Sequence, residues 1–201
     1  MSRRAIRRLR RAELPANTQA LARFLLGKLI IRELPEGEVS GRIVETEAYL
    51  VGDAASHAFR GATPRNRSMF LPPGHAYVYL AYGTSFMLNV SSDEADIGEA
   101  VLIRALQPIE GVALMEGHRG TARLRDLARG PGRLAQALRI DRSLDGADLC
   151  GPGDIWLGAD GFVAGEVGAS VRIGITRDTG RLLRFYLRDS SFVSGPRSLN
   201  T

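Results

Sequence analysis

The sequence predicts an α+β fold, a single domain with a curved, mostly antiparallel β-sheet flanked by helices and carrying a protruding β-hairpin. Strand patterns outnumber helical ones, and the two do not alternate regularly along the chain, as they would in a doubly wound fold. The chain has 201 residues, of which 44% are hydrophobic and 24% are charged. This is the size and composition of one domain with its own core.

Three segments have helical patterns. Residues 17–29 place apolar side chains at helical spacing, with Asn17 or Thr18 as a plausible N-cap. Further helices are expected at 108–117 and 131–138. The last of these follows a Gly-Pro-Gly sequence, which is typical of a helix start.

The strands are expected in β-branched and aromatic runs that are bounded by turn residues. Residues 75–82 and 85–91 form a hairpin whose tip is Tyr82-Gly83-Thr84, and the Gly- and Asp-rich stretch 145–161 is expected to be mostly loop. The predicted strands are 38–51, 75–82, 85–91, 100–106, 155–157, 170–176 and 183–188.

Charge is distributed unevenly. The formal net charge is +5, but six of the 26 Arg residues lie between positions 3 and 11, and the chain without them has a net charge of −1. We expect residues 1–12 to be a disordered basic leader, with an Arg-rich transit peptide as the alternative. Two other stretches, 60–67 and 119–142, are also basic. Clustered Arg side chains suit phosphate contact, although solvated surface Arg explains each of them equally well.

Composition excludes several classes of protein. The apolar content is too high for dominant disorder, and the longest apolar stretch is interrupted by charges well short of a membrane span. Cys150 is the single cysteine, so an internal disulfide is impossible, and we expect a cytoplasmic, nucleoid-associated protein. The three His residues and Cys150 lack ligand spacing, so we expect no metal and no cofactor.

A first candidate site lies in the strand 38–51. Side chains alternate between the two faces of a strand, so Glu45, Glu47 and Tyr49 share one face. A carboxylate beside an aromatic wall can be desolvated and act as a base toward water. Periodicity alone favours the simpler interpretation, a solvent-facing edge of the sheet.

The hairpin supplies a second candidate. Tyr77 and Tyr79 share a face, and a core role explains Tyr77 well. Tyr82 is at the turn, where its ring cannot be buried in its own core. An exposed aromatic at a hairpin tip is a candidate wedge of the kind that DNA-bending proteins insert between base steps. The polar segment Thr63-Pro64-Arg65-Asn66-Arg67 could line a phosphate backbone or be a simple turn.

Taken together, these segments resemble the alkyladenine (3-methyladenine) DNA glycosylase family, from about Leu21 to Gly195. Many short motifs match in order and at compatible spacing, which makes the resemblance specific. The motifs are L-A-x-x-L-L-G-K-L at 21–29, R-I-V-E-T-E-A-Y at 42–49, T-P-R-N-R-x-M-F at 63–70, Y-V-Y-x-x-Y-G at 77–83, N-V-S-S at 89–92, L-I-R-A-L-x-P-x-E-G at 102–111, G-P-G-R-L at 130–134, R-I-G-I at 172–175 and L-R-F-Y-L-R at 183–188.

The resemblance implies an enzyme that flips a damaged purine out of duplex DNA and hydrolyses its N-glycosidic bond, starting base excision repair. It implies that Glu47 activates the water and that Arg104 helps to hold the water and the target phosphate. We expect a monomer whose partner is double-stranded DNA with damaged purines, and no membrane contact.

The resemblance also assigns the remaining site residues. Tyr49 and Tyr79 sandwich the flipped base, and His57 lies across the base from Tyr49. The amide of Asn89 crowds the purine 2-position, and a backbone carbonyl of Ile173 holds the water. The tip of the hairpin and the segment 63–67 contact DNA through Tyr82, Thr84, Arg65 and Arg67.

A monofunctional enzyme is expected, because a glycosylase that also cuts the backbone normally uses an amine to form a Schiff base. Lys28 is the only lysine and lies in an apolar pattern. The alternatives are a non-catalytic nucleic-acid-binding module, which has no use for Glu47 beside Tyr49, and a hydrolase or transferase acting on small molecules, which does not need Tyr82 or the Arg clusters.

Overall fold

Strand β3 (Gly37–Tyr49) is the centre of the fold in the computed structural model, which describes residues 5–200. Along one edge β3 pairs with β6 (Ala100–Glu110). On the other edge it pairs with β2 (Leu29–Leu34) near its start and with β9 (Arg184–Leu187) near its end. Register shifts in the β3–β6 pair mark bulges, which bend and twist a strand.

The described residues form one sheet of nine strands in which every pairing is antiparallel, so the predicted α+β class with an antiparallel sheet is confirmed. The order is β1-β7-β2-β3-β6-β5-β4, with β9 also on β3 and β8 on β9. The remaining strands are β1 (Arg7–Arg8), β4 (Ala76–Ala81), β5 (Ser85–Ser91), β7 (Ile155–Ala159) and β8 (Val167–Ser170).

Three α-helices lie in the described part of the chain: α1 (Thr18–Phe24), α2 (Val112–Arg119) and α3 (Pro131–Ala137). Asn17 is the N-cap of α1, because its side chain accepts a hydrogen bond from the Ala20 amide at 3.0 Å. Helices α1 and α3 pack on the sheet, and the buried apolar side chains between them form the main core.

The helix predicted at 17–29 is too long, and strand β2 was missed. Helix α1 ends at Phe24, and Gly27 adopts a φ of +83°, which an L side chain rarely tolerates. Leu29 to Ile31 are fully buried because β2 lies between β3 and β7. A strand buried on both faces has a continuous apolar run, which periodicity cannot distinguish from a buried helix.

Two other boundaries differ from the prediction. Strand β6 continues to Glu110 because it pairs with Ser40, so α2 begins only at Val112. The strand predicted at 170–176 is wrong beyond Ser170. Residues 171–176 leave the sheet and form a loop with Gly174 at a φ of +79°.

The prediction of a disordered leader is wrong for residues 5–12, whereas residues 1–4 lie outside the described residues. Arg7–Arg8 pairs with β7, and Leu9 is buried. The positive charge of this segment is partly balanced by Glu13, whose carboxylate accepts hydrogen bonds from Arg7 at 2.6 and 2.9 Å. An apolar anchor and an acidic partner outweigh the repulsion within the Arg run.

Candidate active site

Glu47 is fully buried on β3 and has three donors around its carboxylate. Oε1 accepts a hydrogen bond from the Ile173 amide at 2.8 Å. Oε2 accepts one from the Tyr49 hydroxyl at 3.0 Å and lies 3.1 Å from Nη1 of Arg104. Burial raises the pKa of Glu47, and the charge of Arg104 and the two hydrogen bonds only partly oppose this effect. A solvent-facing edge, favoured by periodicity alone, is therefore wrong.

Glu45, two residues earlier, also faces Arg104 but has a different electrostatic environment. Burial alone would raise the pKa of its carboxyl group. The charges of Arg104 and Arg184 and the hydrogen bonds to the carboxylate outweigh burial, and the net effect is a lowered pKa. Neighbouring carboxylates whose environments move their pKa values apart are typical of acid–base sites.

A cavity of about 680 Å³ opens in front of Glu47. Glu47 does not line it directly but lies behind three residues that do, Tyr49, Arg104 and Ile173. This volume is typical of sites for small molecules. Of the predicted site residues, the cavity brings together Tyr49, His57, Arg65, Tyr79, Tyr82, Asn89, Arg104 and Ile173.

Three rings form one wall of this cavity. His57 Nδ1 lies 2.9 Å from the Tyr77 hydroxyl, and the rings of His57 and Tyr79 meet edge to face at 4.4 Å. Burial, with a smaller contribution from Arg65, lowers the pKa of His57 and so favours the neutral imidazole. No ring fits between His57 and Tyr79, so a flat ligand must stack elsewhere in the cavity, which Tyr49 also lines.

The segment 63–67 forms a turn that side-chain hydrogen bonds stabilise. Asn66 is buried, and its side-chain nitrogen donates to the carbonyl oxygens of His57 at 2.9 Å and Gly61 at 3.1 Å. Asn66 therefore holds the His57 loop, a role that sequence reasoning missed. Arg65 is exposed and lines the cavity, whereas Arg67 is exposed at the start of a short 3-10 helix and does not line it.

The hairpin tip is as predicted. Tyr82 is 85% exposed, has a φ of +53°, and lines the outer part of the cavity. Its hydroxyl lies 3.5 Å from the Gly174 carbonyl oxygen. Thr84 is exposed at the same tip, where its amide donates to Ala81 at 3.1 Å, and it does not line the cavity.

Asn89 and a buried ion pair complete the lining of the cavity and the residues that support it. Asn89 lines the cavity, and its side-chain nitrogen donates to the Tyr77 carbonyl oxygen at 3.0 Å. Arg172 and Asp53 form a fully buried ion pair, and the Arg172 guanidinium lies 4.6 Å from the centre of the Tyr49 ring. The sequence shows Arg172 only as the first letter of R-I-G-I, and no local pattern around Asp53 predicts the pair.

The structure offers no evident place for a resident metal among residues 5–200, because no three His, Cys, Asp or Glu side chains there are clustered suitably. Within the same residues, no helix combines the length and the apolar character needed to cross a membrane.

Comparison with known proteins identifies the family of this chain. The family model described as "Methylpurine-DNA glycosylase (MPG)" matches residues 12–191. A protein of Mesorhizobium japonicum is 70% identical over 189 residues, which cover 94% of this chain and 91% of the relative. Proteins of Paraburkholderia phytofirmans and Methanocella arvoryzae are 52% and 47% identical, covering 95% and 88% of this chain and 90% of each relative. All three relatives carry the name "Putative 3-methyladenine DNA glycosylase".

These matches define a class of enzyme, the DNA glycosylases, which are hydrolases of N-glycosyl bonds in DNA repair. Within that class, the chain belongs to the methylpurine-DNA glycosylase family. The predicted family resemblance is thereby confirmed.

Proposed function

We propose that this protein takes an alkylated or deaminated purine out of duplex DNA into the aromatic cavity, and that a water activated by Glu47 hydrolyses the N-glycosidic bond. The observation that carries the proposal is the state of Glu47, a buried carboxylate with a raised pKa, held by Tyr49, Arg104 and Ile173 behind the cavity. A base with a pKa closer to neutrality is better matched to accepting a proton from water.

The contacts of Glu47 leave room for that water. Each carboxylate oxygen can accept about two hydrogen bonds. Oε2 already faces Tyr49 and Arg104, whereas Oε1 accepts one bond, from Ile173. The water is therefore expected on Oε1. Hydrolysis at the anomeric carbon passes through a state with positive charge on the sugar, which the Glu47 carboxylate stabilises as well.

The cavity wall suits electron-poor bases. N3- and N7-alkylated purines carry positive charge, and aromatic faces attract cations. A neutral His57 adds no positive charge that would repel such a base. Asn89 is buried among these rings, where its amide can select against an exocyclic 2-amino group by contact.

DNA is expected to bind on the face that carries the cavity mouth. Exposed guanidinium groups of Arg65 and Arg177 line this mouth, and Tyr82 stands beside them on the hairpin tip. Arg67 and Thr84 are exposed and lie two residues after Arg65 and Tyr82 in the sequence. Phosphate contacts by such residues release counterions, so binding should weaken steeply with added salt.

The decisive assay uses a duplex with one hypoxanthine or ethenoadenine, and methylated DNA as a second substrate. We expect strand breaks only after hot alkali, which converts abasic sites into breaks. Strand breaks without alkali, or a borohydride-trapped adduct with an abasic duplex, would contradict a monofunctional enzyme. We expect neither result, because Lys28 lines a separate small cavity beside Phe24, away from the aromatic cavity. Tight, salt-sensitive binding without base release would instead favour the non-catalytic DNA-binding module.

Base release should fall in acid at a pH above the ordinary range of glutamate. Glu47 must be ionised to accept a proton, and its pKa is raised by burial. Activity is therefore lost as the pH drops through this raised pKa. A cationic substrate without a 2-amino group, such as 3-methyladenine, avoids a second effect, protonation of the leaving base. Single-turnover rates between pH 4.5 and 8 measure the acid limb, the part of the pH profile where the rate falls as the pH drops. A midpoint of this limb at or below pH 4.5 would contradict the assignment of Glu47 as the base.

Replacing Tyr82 by alanine should weaken action on duplex DNA and leave action on single strands intact. The exposed ring is available to fill the gap left by a flipped base, and a single strand has no such gap. Base release from the same lesion in both contexts is the measurement, and Val163→Ala, which truncates an exposed apolar residue outside the cavity, is the control. Equal losses on both substrates would argue against a wedge.

A further inference from the structure

Glu45 is a buried carboxylate with an unusual number of partners. Its Oε1 accepts hydrogen bonds from Arg104 Nε at 2.9 Å, from Arg184 Nε at 2.7 Å and from the Ser194 hydroxyl at 3.0 Å. Its Oε2 accepts one from the Ser194 amide at 2.6 Å. A buried charge persists only when it is compensated in this way. Glu45 is therefore a stable anion directly behind the cavity.

The Arg104 guanidinium is held at two points between the two carboxylates. Nε donates to Glu45, while Nη1 lies 3.1 Å from Glu47. A guanidinium is a rigid planar fork, so fixing Nε orients the remaining nitrogens. The contact with Glu45 thus determines where Nη1 of Arg104 meets Glu47.

Arg184 ties this arrangement to the end of the chain. It is fully buried, and besides Glu45 it donates to the carbonyl oxygens of Ser194 and Leu199, both at 3.0 Å, and to the Asn200 side chain at 2.6 Å. The family model ends at residue 191, so these contacts lie outside the part of the chain that the family model matches.

We infer that Glu45 is a positioning residue that holds Arg104 against Glu47, and that Arg184 and the segment 194–200 support it. The inference rests on the proposed role of Glu47. It adds that Arg104 is shared by the two carboxylates whereas Arg184 pairs with Glu45, so that the anion at position 45 keeps Arg104 from pairing with Glu47 alone.

The test is the pH profile of base release in Glu45→Gln, measured in single turnover on DNA that contains 3-methyladenine. We expect the rate to fall about 10- to 100-fold, because a small misplacement of the machinery is costly. The acid limb should also move to lower pH. Glu45 is an anion that raises the pKa of Glu47, and without it Arg104 favours ionised Glu47 more strongly. If Glu45 has only a structural role, the enzyme becomes slower but the acid limb of its pH profile stays at the wild-type pH.

The other groups around Glu47 are unchanged by this substitution. Tyr49 is on the same strand, Tyr79 on the hairpin and Arg172 on the loop after β8. Glu45→Asp keeps the charge and should keep the limb at the wild-type pH even if the rate falls. Asp160→Asn is the control for a broken ion pair, since it unpairs the buried Arg42 far from the aromatic cavity.

The outcomes separate the two proposals. Suppose that Glu47→Gln is inactive, that Glu45→Gln releases bases as fast as Asp160→Asn, and that its acid limb lies at the wild-type pH. This result would overturn the inference and leave the proposed function standing. An active Glu47→Gln would overturn the function itself. If Glu45→Gln does not fold, Ser194→Ala decides, because it removes one donor from Glu45 and no charge. We expect a rate about 2- to 10-fold lower, and an unchanged rate would overturn the inference.

Discussion

Glu47→Gln should reduce base release by about 10²–10⁴-fold, the usual contribution of a general base, while binding to damaged duplex persists. The amide is isosteric, and Arg104 keeps Glu45 as a partner, so the cavity should retain its shape. What disappears is the group that, in our proposal, takes the proton of the attacking water. Single-turnover release from a hypoxanthine duplex and binding by titration at fixed salt measure the two effects separately.

Glu33→Gln is a suitable control for this substitution. Glu33 is an exposed glutamate on β2 that accepts a hydrogen bond from Trp156 at 3.1 Å, outside the aromatic cavity. It should leave base release unchanged. If Glu47→Gln loses binding and activity together, Glu47 has a structural role instead of a catalytic one.

Asp53→Asn should lower the free energy of unfolding by about 3–5 kcal/mol, because it leaves the charge of Arg172 buried without a carboxylate. Both side chains of this pair are fully buried. Base release should fall as well, since Arg172 lies against the Tyr49 ring and donates to the Ala48 carbonyl oxygen at 3.1 Å. Urea unfolding at pH 7 measures the stability, and the activity is then compared at a temperature where both proteins are folded.

The matched control breaks an exposed pair. Glu166→Gln removes the exposed partner of Arg188 and should change the stability little, because solvent screens such pairs. A loss of similar size in both variants would contradict the importance of burial.

The buried pair of Asp53 and Arg172 should also weaken in acid. Although burial raises the pKa of Asp53, the hydrogen bonds and charge of Arg172 lower it overall. Its contribution is therefore present above the ordinary pKa of aspartate and is lost as the pH falls through the lowered value.

Local sequence patterns predicted most of the fold because the strands of this sheet are joined by clear turn residues. The hairpin with its tip at 82–84 is the best example, since its register places Ala81 opposite Ser85. Strand β2 was missed because it lies between two partner strands, and its continuous apolar run shows no alternation of apolar and polar residues. Strand β8 was misplaced because its end depends on the buried pairing of Arg172 with Asp53, a contact between residues far apart in the sequence.

The candidate site shows the same division. Alternation along β3 placed Glu45, Glu47 and Tyr49 on one face, and the resemblance assigned Glu47 and Arg104, which the structure brings within 3.1 Å of each other. Burial of these carboxylates could not be predicted, because it is produced by β6, β9 and the chain end together. Asn66 and Arg184 lie in matched motifs that assigned them no role, and Ser194 lies in no motif. They act through hydrogen bonds to a distant backbone or carboxylate.

The contacts of Glu45 with Ser194 join residues 149 positions apart. During synthesis, which proceeds from the N-terminus at about 5–20 residues per second, strand β3 leaves the ribosome many seconds before its last partner exists. The carboxylates of β3 therefore cannot acquire their final surroundings on a partly made chain. A nascent polypeptide that stops short of residue 194 already carries the aromatic cavity residues but lacks the two donors that Ser194 supplies to Glu45.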